Sequence, residues 1–544
     1  MNYLLNSDLQ IWNGIIAFMT SLQKRILFIL LSISSLYFFL FIPPNSTGAD
    51  DQMMISLFEP DEFAQYPIAE KMVAPAESLK QALINFLIYG HYYYGWTFYA
   101  ASALLVLIGT SVQQDMLLLR QFISVLPMLG ALLLLVYIQT KFRSYLRSIG
   151  LFVLLLAVSA VVENNLWWHV DSLAVFFTVL VIFFLDKDDL RFGPDFYLAA
   201  AATGLASGTK VIGLFFFLAI PAYILLGVLQ KKVDWRTAAL RALAFVGIMA
   251  AVIFISNPFL VYKSQRTDMI EILSRQSTFQ NQGWVLSYAK GPASWLPIIQ
   301  RLYGELIFIA LAFFALALEI KRPTTRARGL VTALWVIPFG LYVLFVVAIK
   351  PTHFFLPILL PVYACLPALF DLPIFEKKNI RSWLAGGFFV AIIGYQFVQY
   401  ISRDIALYQE VLVREEHEAS LVFYRELEES IFPRIPTDEG LVVVRDVRMY
   451  LPDDSRWVVR SYWNIKYSVV EKIEPDLILI WSQRIWDYTQ EGARESAVNP
   501  VDFEETYQFY VDADTDKIPG YRLVYRDSEG LFFVREELYE AYFK

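Results

Sequence analysis

The sequence predicts a mainly α polytopic membrane protein, with about eleven transmembrane helices followed by a small soluble α/β domain. Three observations carry this. Of the 544 residues, 57% are hydrophobic and 18% charged, with a mean hydropathy of +0.48; soluble domains run at about 45–50% apolar and about 25% charged. The charge is unevenly spread. Ile401 to Lys544 hold 17 Lys and Arg against 30 Asp and Glu, a net of −13, whereas the preceding 400 residues hold 28 against 22, a net of +6. Finally, the apolar residues of that first part fall into separate long runs. A soluble globular protein and a disordered chain are excluded, and the overall net charge of −7 leaves no basic footprint for a nucleic acid. One cysteine, Cys365, rules out an intrachain disulfide and any cysteine-cluster metal site.

A spanning helix needs about 20 apolar residues. Apolar runs occur at 26–42, 97–110, 118–140, 149–162, 172–185, 197–209, 211–229, 238–256, 302–319, 330–349, 354–370 and 383–401. Basic clusters orient them, because cytoplasmic loops carry excess Lys and Arg. These are Lys24–Arg25, Lys141–Arg147, Lys187–Arg191, Lys231–Arg236, Lys321–Arg328 and Lys377–Arg381. If every run crosses, most of these clusters fall outside; if 97–110 does not cross, all fall inside. The run 97–110 is therefore expected to be re-entrant or to lie on the surface, leaving eleven spans with the amino terminus inside. The run 196–230 must then cross twice, with its two short spans meeting near Ser207–Lys210. Residues 24–49 also fit a signal peptide ending at Thr47-Gly48-Ala49, but an uncleaved first helix is the expectation. Residues 1–401 make the membrane module, with a first outer loop of about 43–117, and 402–544 make an extracytoplasmic domain.

The tail opens with an amphipathic pattern over 403–431. Five strand-like runs follow: Leu441–Arg445, Trp457–Arg460, Leu477–Trp481, Arg522–Arg526 and Leu531–Arg535. Asp527-Ser528-Glu529-Gly530 reads as a hairpin turn between the last two. No catalytic motif is visible in this part.

The residues that invite chemistry lie on the expected outer face. Phe58-Glu59-Pro60-Asp61-Glu62-Phe63 puts adjacent carboxylates beside apolar sequence, where burial and neighbours tune a general base; the bland reading is a solvated acidic loop. Glu163-Asn164-Asn165-Leu166-Trp167-Trp168-His169-Val170-Asp171 is a polar island between two spans. Its tryptophans suit an interfacial aromatic belt, His169 suits a helix cap or headgroup contact, and Asp171 opens a span directly. Arg120, Lys210, Lys350 and His353 are outer cations that run against the positive-inside bias. Phosphate contact explains them, and so does ordinary headgroup anchoring. Asp61, Glu62, Glu163 and Asp171 together offer oxygen ligands for Mg²⁺ or Mn²⁺, although nothing demands a cofactor. No ionisable residue sits mid-span and no inverted repeat is visible, which disfavours an ion-coupled transporter.

Taken in order, these motifs resemble the GT-C glycosyltransferases, and within them the bacterial protein O-mannosyltransferase and aminoarabinose-transferase group. The resemblance rests on Pro60-Asp61-Glu62-x-x-Gln65 after the first helix, the aromatic run Tyr89–Trp96, and Arg120 opening the next span. His169-Val170-Asp171-Ser172, Gly204–Lys210, and Thr352-His353-x-x-Leu356-Pro357 with Pro361 complete it. It implies an integral-membrane inverting glycosyltransferase of the bacterial inner membrane. Such an enzyme takes a sugar from a polyprenyl-phosphate carrier to a glycan, lipid or protein acceptor. By that likeness Asp61 is the base, Glu62 its partner and Asp171 the second-loop acid, with Arg120 and His353 on the carrier phosphate. The aminoarabinose transferases carry Lys-Pro-Pro where this chain has Tyr-Gly-His, so His91 stands in for that phosphate-binding lysine. A lipid-linked-sugar flippase and a non-catalytic envelope scaffold are the competing readings.

Overall fold

The computed structural model describes residues 19–375, 380–435 and 440–544. Among these, seven helices are long and apolar enough to cross a membrane. The bent pair Pro292–Tyr303 and Leu306–Lys321, kinked by 85°, makes an eighth. The remaining expected runs are also helical: Tyr145–Leu156, Asp171–Asp188 and Pro194–Thr209. The first and third are short, and the second carries Asp186, Lys187 and Asp188 at its end. The chain is a multi-pass membrane protein.

Local chemistry sets the helix starts. Thr20, Asp51, Ser78, Ser111, Ser144 and Asp234 each accept a backbone N–H as N-cap. The run at 97–110 becomes the helix Trp96–Val106, whose 11 residues reach only about 16 Å, too short to cross. Lys210 ends the helix Pro194–Thr209 and precedes a 3₁₀ segment, Val211–Phe217, so a break stands where two spans were expected to meet. The basic loops gather at one end of the bundle. Arg147 and Arg322 share Asp371 at 2.6 and 3.2 Å, while Lys141 and Arg328 share Asp186. Lys377, Lys378 and Asn379 of the last basic cluster lie outside the described residues.

At the other end sits a five-stranded sheet: β1 (Leu441–Asp446), β2 (Trp457–Tyr462), β3 (Leu477–Trp481), β4 (Tyr521–Arg526) and β5 (Gly530–Arg535), in the order β2-β1-β3-β5-β4. Strand β1 pairs parallel with β2 and β3, and β5 pairs antiparallel with β3 and β4. Asp527 closes the β4–β5 turn by accepting the amides of Glu529 and Gly530. The amphipathic helix expected over 403–431 is corrected. Residues up to Leu412 continue the last apolar run in one 33-residue helix, Ile380–Leu412, and Ala419–Ser430 is separate. The compositional boundary at 401/402 thus falls inside a helix. An isolated bridge, Leu286 to Ala497, ties the segment before Pro292 to the sheet domain.

Candidate active site

The acid-rich segment folds as two short helices, Gln52–Phe58 and Pro60–Val73, joined at Glu59. Asp61 and Glu62 occupy the first turn of the second, where the helix dipole favours negative charge. Their environments differ sharply: Asp61 is exposed, whereas Glu62 has no solvent-accessible surface. Glu62 receives both forks of Arg120, at 2.9 Å from Nε and 2.5 Å from Nη2, and also accepts the Trp168 amide. Arg120 is equally buried and gives Nη1 to the carbonyls of Asn45 and Thr47, each at 2.9 Å. It begins a π-helical turn, Arg120–Val125. Four of its five N–H groups are thereby used inside the protein. Burial and the charges of Glu62 and Asp61 push the Glu59 carboxyl up to about 8.

The second motif is wholly interior. Trp168 is 0% exposed; its indole donates to Ser102 Oγ at 3.1 Å and stacks on Phe98. Trp167 lies parallel to His169 with centroids 4.5 Å apart. The aromatic-belt reading of these tryptophans is therefore corrected: they pack the floor of the site. Ser124 fixes this turn, donating to the Trp167 carbonyl and accepting the His169 amide.

Asp171 is the point of convergence. Its Oδ1 receives Lys210 Nζ at 2.6 Å, and its Oδ2 faces His353 Nε2 at 3.3 Å and His169 Nδ1. Tyr94 Oη meets the other ring nitrogen of His169 at 2.7 Å. Burial, then the charges of Asp61 and Asp171, push the Tyr94 hydroxyl well above its ordinary value, so the fields of both acids reach this one ring. Lys210 is brought here by tight backbone packing. The Gly95 amide donates to the Thr209 carbonyl at 2.9 Å, and Asn257 bridges the Trp96 amide and the Gly208 carbonyl. A Cβ on Gly95 would lie 1.7 Å from the Gly208 oxygen, so only glycine permits the approach.

Two expected phosphate ligands stand apart. Lys350 donates to the carbonyls of Ala289 and Ala348 and lies over the Trp295 ring. His91 is hydrogen-bonded to Tyr99 at 2.5 Å, and burial pushes it down to about 4, which leaves it uncharged at neutral pH. The four-acid metal set is not assembled either, because Glu62 is spent on Arg120. Among the described residues the group that could hold a metal is His169, Asp171 and His353, all buried, with ligand atoms within 4.8 Å of one another. Two imidazoles and one carboxylate are a donor set that suits a divalent ion taking mixed nitrogen and oxygen ligands. The His-x-Asp spacing just before a span was the sequence signal for His169, which a headgroup role concealed.

No family model and no curated protein matches the chain. Its fold has counterparts among solved structures. ArnT from Cupriavidus metallidurans bound to undecaprenyl phosphate superposes with a TM-score of 0.52 at 13% identity, covering 93% of this chain and 97% of that one. The archaeal oligosaccharyltransferase AglB from Archaeoglobus fulgidus, in complex with an inhibitory peptide and a dolichol-phosphate, gives 0.50 at 12% identity, covering 87% and 72%. The chain has the GT-C fold, a polytopic helical body carrying a small sheet domain.

Proposed function

We propose that the protein is an integral-membrane, inverting glycosyltransferase that moves a sugar from a polyprenyl phosphate to an acceptor hydroxyl on the outer face of the membrane. The observation that carries this reading is the convergence of Lys210, His353 and His169 on Asp171, beside the Asp61-bearing helix at the sheet end of an apolar bundle. The fold neighbours hold undecaprenyl phosphate and dolichol-phosphate, which supports a carrier of the same chemistry here.

The roles follow from position. Asp61, exposed on the first turn of its helix, takes the proton of the acceptor hydroxyl as its oxygen attacks the anomeric carbon. The bond from that carbon to the phosphate oxygen breaks on the opposite face, and the phosphate leaves with the electron pair through an oxocarbenium-like transition state. Lys210 sits where the departing charge is neutralised, with the His353 imidazole beside it as a polar contact to the phosphate. Asp171 orients both, and Glu62 with Arg120 anchors the helix that carries Asp61. A divalent metal on His169, Asp171 and His353 would supply Lewis-acid neutralisation of the same phosphate.

The reading is tested by binding of undecaprenyl phosphate to the protein in nanodiscs. Lys210→Met should weaken it at least about tenfold, and Lys350→Met should leave it within about twofold, because Lys350 is engaged by two backbone carbonyls and the Trp295 ring. Equal effects of the two substitutions would contradict the assignment.

A further inference from the structure

The sheet domain grips the acid segment through a buried arginine. Arg445, on β1, is 0% exposed and, among the described residues, has no carboxylate partner in its hydrogen bonds. Its guanidinium donates to Ser461 Oγ at 2.8 Å on the adjacent strand and to the Met449 carbonyl. It also reaches Met53 Sδ at 3.1 Å and Ser56 Oγ at 3.2 Å in the first loop. Ser56, itself fully buried, donates to the Val447 carbonyl at 2.7 Å. The Arg445 guanidinium also lies 5.9 Å from the Phe63 ring.

Arg445 thus touches residues on both sides of the Glu59 joint: Ser56 on the helix before it and Phe63 two positions past Asp61. Tyr450 adds a second hold, donating at 2.7 Å to Asp51, whose other oxygen caps the first of the two helices. Arg448 donates to the Leu57 carbonyl next to the joint. A buried, unpaired guanidinium is a costly way to glue two surfaces, since apolar side chains of similar volume pack as well or better. What the fork adds is a fixed direction for each contact.

We propose that Arg445 is a positioning residue for Asp61. With Arg120 holding Glu62 from the membrane body, it fixes the angle between the two short helices and hence where the Asp61 carboxylate points. This rests on the transferase reading above. A reacting group displaced by about 1 Å costs on the order of 10²-fold in rate.

The test compares wild type, Arg445→Met, Ser56→Ala and Tyr450→Phe as full-length proteins in nanodiscs, by transfer kinetics and by amide hydrogen exchange. Arg445→Met should lower kcat about 10- to 100-fold with donor KM within about twofold, since Lys210 and His353 are untouched. Exchange should rise over residues 52–66 and stay unchanged in β1–β5. In an Asp61→Asn background Arg445→Met should cause no further loss. Wild-type kcat, or unchanged exchange over 52–66, would overturn the proposal. Should Arg445→Met loosen the whole sheet, the two milder variants decide: exchange raised only over 52–66 supports the proposal, and no rise overturns it. An inactive wild type would sink the transferase reading alone, while the exchange pattern still decides whether Arg445 holds the segment.

Discussion

Glu62 and Arg120, 58 residues apart in sequence, meet in a two-point ion pair from which water is wholly excluded. The pair joins the first loop to the long helical segment Val112–Thr140, and through the Trp168 amide to the second motif as well. It is the fixed point around which the rest of the site is arranged.

Breaking it from one side leaves a buried charge without a partner, which costs about 3–5 kcal/mol. Arg120→Ala should therefore lower the unfolding temperature of the protein in nanodiscs far more than it alters donor KM. The double replacement Glu62→Gln with Arg120→Met should recover much of the stability. A large rise in donor KM at unchanged stability would instead return Arg120 to the phosphate.

Lys210 has the opposite profile. It is held by one carboxylate at a helix end, with Phe354 beneath its ammonium at 5.0 Å. Lys210→Met should lower kcat/KM by about 10²-fold, the usual loss when one group opposing developing charge is removed, with a smaller fall in thermal unfolding than Arg120→Ala causes, because His169 and His353 still face the Asp171 carboxylate. Steady-state kinetics beside a melting curve separates the two outcomes.

Metal content distinguishes the two ligand sets. Protein dialysed against Zn²⁺ or Mn²⁺ and assayed by elemental analysis should retain one ion per chain. Asp171→Asn should lose it, and Glu163→Gln should keep it, because only the former belongs to the converging group. Retention in Asp171→Asn would move the ion elsewhere.

Glu59 makes stability depend on pH in a definite direction. Its carboxyl is raised from 4.5 to about 8, so the folded state keeps the proton while the unfolded chain gives it up. That contribution is whole below about pH 4.5, declines as pH rises to about 8, and is flat above. Glu59→Gln should remove this decline from unfolding profiles recorded between those limits. His91 works in the other sense. Its pKa is lowered to about 4, so its stabilising effect is present above about 6.5 and fades as pH falls through 4.

Much of this was legible in the sequence. All five strands were visible because β-branched and aromatic residues alternate between turn signals, and Leu477–Trp481 is recovered residue for residue. The expectation that 97–110 does not cross came from the basic clusters of the other loops, which all fall inside only without it, and a helix of 11 residues stands there. Hidden from the sequence was which charges neutralise one another. Composition identifies Arg120 as an outer cation but says nothing of Glu62 folding back to claim it. Similarly, a Trp-Trp pair at a span boundary has the same signature whether it faces lipid or packs under His169. The running of the last span into Leu412 was masked by the polar residues that appear where the helix leaves its apolar run.

The most direct measurement of the central claim is release of free polyprenyl phosphate from a panel of polyprenyl-phosphate sugars by the protein in nanodiscs, with acceptor candidates present. Wild type and Asp61→Asn should be run side by side. Wild type should release polyprenyl phosphate from at least one donor and Asp61→Asn none above background, with both proteins unfolding at the same temperature. Undiminished release by Asp61→Asn would contradict the claim.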